Sequence, residues 1–433
     1  MLRRAERRLL TPILLTLPAA LVCGCTSETT EPNQAGSGTA TGTATGTATG
    51  TATGTTGGML GGGATGAALD ATLDAVDAAD EDCPIPYLDR VDELIEEDET
   101  HFAALYKITA GGENAEAYWS FAGDRLVLQR KEERTEEHCD RIFVTDSATG
   151  ELQLVSDGRG VTTCAYFLPG DRSVVYASTS LEHTVCPGMP IVPEGIGRGY
   201  MWALHPEYDL FSRDLVTGER IRLTEEPGYD AEATVSPAGD RMVFTSTRSG
   251  DIELWTCDLD GSNLLQVTDA PGYDGGAFYS HGADRLVFRS TEFADDDEER
   301  AKELDEYRRL LDAHLVKPSR MEIYVCATDG SAREKVTDLG GANFAPYFTP
   351  DDSKILFSSN WENPGARAPL FDLYLVPSSG GPYGPEDVER VTTFEGFDSF
   401  PMFSPDGKWL AFASNRGNEA EGVTNVFVAR WKD

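Results

Sequence analysis

The stretch GYDAEATVSPAGDRMVFTSTRSG, residues 228–250, places two carboxylates, Asp230 and Glu232, near a hydroxyl, Ser236, and a guanidinium, Arg248. Such types can do nucleophilic or acid–base chemistry, provided a base activates the serine or the environments of the carboxylates separate their pKa values. Uniqueness decides the question. Related runs occur as SFAGDRLVLQR from Ser120, FLPGDRSVVYAS from Phe167, SHGADRLVFRS from Ser280, TPDDSKILFSS from Thr349 and SPDGKWLAFAS from Ser404. A nucleophile is needed once, whereas a turn is needed in every repeat. Ser236, Pro237, Gly239 and Asp240 therefore read as a tight turn, with proline fixing φ and Gly or Asp accepting unusual backbone angles.

Other reactive types give little. His101, His138, His183, His205, His281 and His314 form no HxH or HExxH pattern, although His183 and His205 share one segment and could converge. The DLDGSN run from Asp258 places its glycine too early for a calcium-binding EF-hand loop and reads as a hairpin. No G-x-S-x-G elbow is present. No catalytic residue, resident metal or cofactor is assigned, and a divalent cation such as calcium is the one ligand of that kind left open.

The elements behind the repeats are strands. Each repeat reads as four short, β-branched or aromatic runs joined by Gly/Asp turns, with weak alternation because both sheet faces are covered by neighbours. Tandem four-stranded units imply a β-propeller. The sixth copy ends after its third strand at TNVFVARWKD, and FAALYKITAGG from Phe102 supplies an unattached fourth. The expected fold is an all-β, six-bladed propeller over 101–433, its last blade closed by the N-terminal strand. Blade lengths differ mainly between second and third strands, with insertions at 181–208, 292–320 and 361–371. In the second of these, acidic residues precede Arg308 and Arg309, and Leu304, Tyr307, Leu310 and Leu311 form an apolar stripe, which predicts a short helix in blade four.

The corners before the first strands open on the same face as these insertions. Tyr229, Asp230, Tyr273, Asp274, Phe344, Phe397 and Asp398 are the candidate binding face, either as structural corners or as an acidic ring for a cation or basic segment. Cys257 and Cys326 hold equivalent third-strand positions in adjacent blades, too far apart to bond, and are expected to be buried and free. Cys139, Cys164 and Cys186 fall on one face of blades one and two. Cys186 is expected to pair with Cys164, the alternative being Cys139.

The repeat SPAGDRMVFTSTRSGDIELWTCDLDGSNLLQVTD resembles the TolB-type propeller repeat, with S-P-D-G, F-x-S, D-x-D-G and L-T elements. The resemblance runs from Phe102 to the end. It implies a non-enzymatic envelope module that binds a protein, peptide or glycan. The alternative is a propeller lyase or hydrolase with an acidic, metal-binding channel mouth, using Asp230, Asp274 or Asp398.

Residues 1–24 carry Arg3, Arg4, Arg7 and Arg8 before an apolar run, as a signal peptide does, and Val22-Cys23-Gly24-Cys25 resembles a lipobox with Cys25 as the lipidated residue. Residues 25–82 are rich in Gly, Thr and Ala and read as a disordered tether, and 83–100 as a short acidic helical segment. A net charge of −37 repels phosphate backbones and argues against nucleic acid. The expectation is a monomeric, exported protein anchored by lipid alone, in the outer membrane and facing the periplasm or cell surface.

Overall fold

The computed structural model describes residues 84–433 except 87, 134–137, 198, 319, 365–369, 419, 421 and 433. The residues expected to form a signal peptide and a tether, with Cys25, lie outside the described residues. No helix among those described is long and apolar enough to cross a membrane.

Six antiparallel sheets form the blades of a propeller. Their innermost strands are Glu113–Trp119, Thr162–Phe167, Asp230–Val235, Asp274–Tyr279, Asn343–Phe348 and Asp398–Phe403, in blades one to six. Second strands such as Arg241–Ser246 and Trp409–Ser414 are buried almost throughout, because neighbouring blades cover both faces. That burial explains the weak alternation of the sequence.

Closure is as expected. Phe102–Lys107 pairs antiparallel with Asn425–Trp431 as the fourth strand of blade six. Phe102 stacks on Phe412 at 5.5 Å, and Tyr106 meets Trp409 edge-on at 5.9 Å, so apolar packing fastens the seam. The acidic segment before it differs from the expected helix. It holds a two-residue strand, Asp89–Arg90, on the outer edge of blade six, then one 3₁₀ turn over Asp92–Leu94. Hydrogen bonding explains the change: the Asp92 carboxylate accepts from the Leu105 amide and the Val91 amide donates to the Leu105 carbonyl, tying the segment to the closing strand.

The blade-four insertion contains helix α1, Asp297–Asp312. Asp296 caps it by accepting from the Glu298 and Glu299 amides, and three acidic residues fill the first turn, where the helix dipole favours them.

Candidate functional site at the axial channel and the insertion face

Each corner aspartate meets an arginine. Asp230 accepts from Arg248 at 2.8 Å, Asp398 from Arg416 at 2.9 Å, and Asp274 from Arg333 at 2.6 and 3.1 Å. Tyr229, Asp230, Tyr273, Asp274, Phe397 and Asp398 are buried, and Phe344 is half-buried. The corners therefore do not present an open acidic ring. Carboxylates taken from water here need a fixed counter-charge, and the arginines supply it. Arg248 thus partners Asp230 and does not activate Ser236, whose hydroxyl donates to Asp240 across the turn. The signal was present in the sequence as a spacing of 18 residues shared by Asp230/Arg248 and Asp398/Arg416.

The channel holds a different set of residues. Every innermost strand carries a β-bulge at the same place, marked by register shifts in all six blades. At each bulge one residue has positive φ: Glu116, Cys164, Glu232, Gly276, Ala345 and Phe400. A bulge re-aims its side chain, and here the repeat places six side-chain positions in one ring. Further along the strands, Tyr118 of blade one meets Phe278 of blade four at 5.3 Å. These blades stand opposite each other in a ring of six, so the contact crosses the axis and closes the channel. Tyr166 and Tyr347 complete the plug.

Between the plug and the insertion face lies a charged group. Glu232 accepts from Arg289, from the Tyr273 hydroxyl at 2.7 Å, from Thr245 at 2.6 Å and from the Gly276 amide at 3.0 Å. Burial alone would raise the Glu232 pKa, but Arg289 and these hydroxyls outweigh it and hold the carboxyl below its ordinary value. Glu116 is the opposite case. Burial pushes it up to about 7, against a hydrogen bond with the Cys164 thiol, and its Oε2 has no partner among the described residues. The channel thus contains two carboxyls whose environments drive their pKa values apart.

The insertions meet over this chamber. Trp202–Ala203 of blade two pairs with Leu315–Val316 of blade four, bridging across blade three. Met201, Leu310 and Leu315 form a small core beneath the bridge, with Met189, Ile196 and Ala313 packed on it. Trp202 lies 5.9 Å from the Arg289 guanidinium and meets Tyr273 edge-on at 5.8 Å. His183 and His205 do converge, at 6.5 Å between rings, and burial lowers the His205 pKa to about 4. No group of three or more His, Cys, Asp or Glu suited to a metal ion occurs among the described residues.

The disulfide joins Cys139 to Cys186, the alternative pairing, with Cα atoms 5.6 Å apart. Cys164 is free because the bulge turns it toward Glu116 in the channel, away from the blade-two loop. Cys257 and Cys326 are buried and free, as expected.

No known family model matches the chain. A protein TolB homolog of Chlorobium chlorochromatii (strain CaD3) is 26% identical over 136 residues, covering 23% of this chain and 30% of the relative. The Tol-Pal system protein TolB of Francisella tularensis subsp. mediasiatica (strain FSC147) is 32% identical over 102 residues, 22% of this chain and 21% of that one. The chain therefore spans less than a third of the length of either relative. The crystal structure of TolB from Acinetobacter baumannii aligns over 74% of this chain and 64% of its own, with 18% identity and a TM-score of 0.46. The repeats, the closed ring of six sheets and these local sequence matches together make this chain a TolB-like six-bladed β-propeller.

Proposed function

We propose that this chain is an exported interaction module whose insertion face binds an apolar segment, flanked by basic residues, of another envelope protein. One observation carries the reading: Leu181, Val185, Ile191, Val192 and Tyr200 all lie exposed in the blade-two insertion, Ile191 at 89%. Apolar side chains gathered on one stretch mark a contact surface more often than scattered ones do. The loop is also held in place, by the Cys139–Cys186 bond at its start and the Met201, Leu310 and Leu315 core at its end. Preorganisation of this kind lowers the ordering cost of binding. The net charge of −37 favours a basic rim on the partner and speeds its approach. A relative named for the Tol-Pal system supports an envelope protein as partner over a free peptide or glycan.

A photo-crosslinker at Ile191 of the full chain, used in envelope extracts, tests this. The expected product is one crosslinked protein whose contact peptide is apolar and basic, lost when Val185→Asp is added. Labelling that is absent, or unchanged by that substitution, overturns the reading.

A second reading is favoured by the channel carboxyls. With Glu116 pushed up to about 7 and Glu232 held down, the pair has the split needed for acid and base roles in a lyase or hydrolase. Glycan cleavage by the purified chain that disappears in Glu116→Gln would support it. Equal activity in that variant would remove it.

A further inference from the structure

On the face opposite the insertions, the turns between first and second strands pack on the next blade in one of two ways at five of the six junctions. The turn's fourth position is occupied in blades one to six by Gly123, Asp171, Gly239, Ala283, Asp352 and Gly407, all with positive φ. Where the preceding blade offers a proline, the fourth position is glycine, because a Cβ there would collide with the proline ring or crowd it. A Cβ on Gly239 would lie 2.5 Å from Pro169, on Gly407 2.8 Å from Pro350, and on Gly123 3.3 Å from Pro405. Where the preceding turn has free amides, the fourth position is aspartate. Asp171 accepts from the Phe121 and Ala122 amides, and Asp352 from those of His281 and Gly282, each at 2.8 Å.

The junction between blades three and four follows neither rule. Pro237 belongs to the preceding turn, and the residue in the fourth position is Ala283. The arginine after the turn departs as well. Arg125 and Arg285 reach forward over Phe167 and Phe348 of the next blade, at 5.2 and 4.9 Å. Arg241 turns back into its own blade, donating to Asp258 at 2.9 Å and Thr256 at 3.0 Å. With both packing devices missing, the junction opens into a cleft of about 390 Å³ lined by Asp240, Asn263, Leu265, Tyr279, Thr328 and Asp329, among others. That volume falls within the range of small-molecule sites, about 300–1,000 Å³. Tyr279 is 7% exposed, and its hydroxyl has no partner among the described residues. In the equivalent positions of blades two and five stand Phe167 and Phe348, so blade four adds a polar atom where the fold needs none.

We propose that this inter-blade cleft binds a neutral saccharide. Asp240 and Asp329 offer acceptors for vicinal hydroxyls, Asn263 and Thr328 offer both donors and acceptors, and Leu265 and Tyr279 offer apolar surface to a ring face. Anions are disfavoured because the charge of Arg241 is taken up by Asp258 while Asp240 and Asp329 remain. The site lies away from the insertion face, and its fate is independent of what binds there.

Ligand-observed saturation-transfer NMR on the full chain tests the proposal, with N,N′-diacetylchitobiose and methyl glucoside as neutral probes and galacturonate as the acidic one. Saturation of at least one neutral probe and none of galacturonate is expected. Ala283→Gly restores the proline–glycine packing and should abolish the signal while the melting temperature holds or rises, since glycine also suits the positive φ. Leu265→Glu at the exposed rim should abolish it too. No neutral probe bound, a signal equal for galacturonate, or a signal surviving both substitutions overturns the proposal.

Discussion

Arg416 and Glu99 form a doubly hydrogen-bonded ion pair out of contact with solvent, Nη1 to Oε2 at 2.9 Å and Nη2 to Oε1 at 2.8 Å. Nη2 also donates to Asp398 at 2.9 Å. Glu99 lies three residues before the closing strand and Arg416 two residues after the second strand of blade six, so the pair locks the ring at its seam.

Removing Glu99 leaves a buried guanidinium with Asp398 as its carboxylate partner, beside the Leu94 carbonyl and the Ser414 hydroxyl. Glu99→Ala should cost about 3–5 kcal/mol, whereas Glu99→Leu combined with Arg416→Met and Asp398→Asn, which removes the whole charged triad, should recover most of the loss. Urea unfolding of the three proteins checks this. A single variant as stable as the parent would show that the seam is held by apolar packing instead.

Buried carboxyls set the pH dependence. Burial raises Glu116 and Asp372 to about 7 and Glu253 to about 8. A raised folded-state pKa means that the folded chain keeps protons the unfolded chain has released. The stability these groups contribute is complete below their unfolded values and is lost as pH climbs to about 7 for Glu116 and Asp372 and about 8 for Glu253. Melting temperature should therefore fall across that window, and Glu116→Gln should flatten the fall. A profile that rises from pH 5 to 8 would contradict this assignment.

The cysteines should separate by reactivity. Cys164, Cys257 and Cys326 are buried, and burial raises all three thiols, so alkylation should wait for unfolding. Cys186→Ala should speed proteolysis within 181–200 by about tenfold, equivalent to about 1.4 kcal/mol of local opening, and leave the ring intact. Mass spectrometry of labelled and digested protein reads both effects.

Cys25 is proposed as the lipid anchor. Labelling with an alkynyl palmitate analogue should mark the wild-type chain and fail in Cys25→Ser, with the variant moving from the membrane to the soluble fraction. A soluble wild-type chain would end the anchor proposal.

Much of the ring was legible in the sequence because a propeller blade is a local unit. Turn residues and apolar runs recur at each copy, so Ser120, Phe167, Ser236, Ser280, Thr349 and Ser404 count the blades, and the unattached strand at Phe102 predicts the seam. The same repetition reduces Ser236 to a turn residue and places Asp230 at a corner. The turn repeats did not declare where the corner side chains point, although the 18-residue spacing of Asp230/Arg248 and Asp398/Arg416 carried the pairing. Asp230 and its counterparts turn inward to arginines, and the channel is furnished instead by the bulge residues Glu116, Cys164, Glu232, Gly276, Ala345 and Phe400, which keep no common residue type around the ring.

The contact between insertions was beyond the sequence, and for Cys186 the sequence left two partners open. The pairing of Trp202 with Val316 and the bond between Cys139 and Cys186 join segments that follow no repeat, and the closed ring alone brings them together. Sequence determined the number and order of blades, since short-range hydrogen bonding and side-chain burial fix each one. Tertiary structure decided which charges face one another and which junction stays open, because those depend on the distance between blades and not on the residues within one.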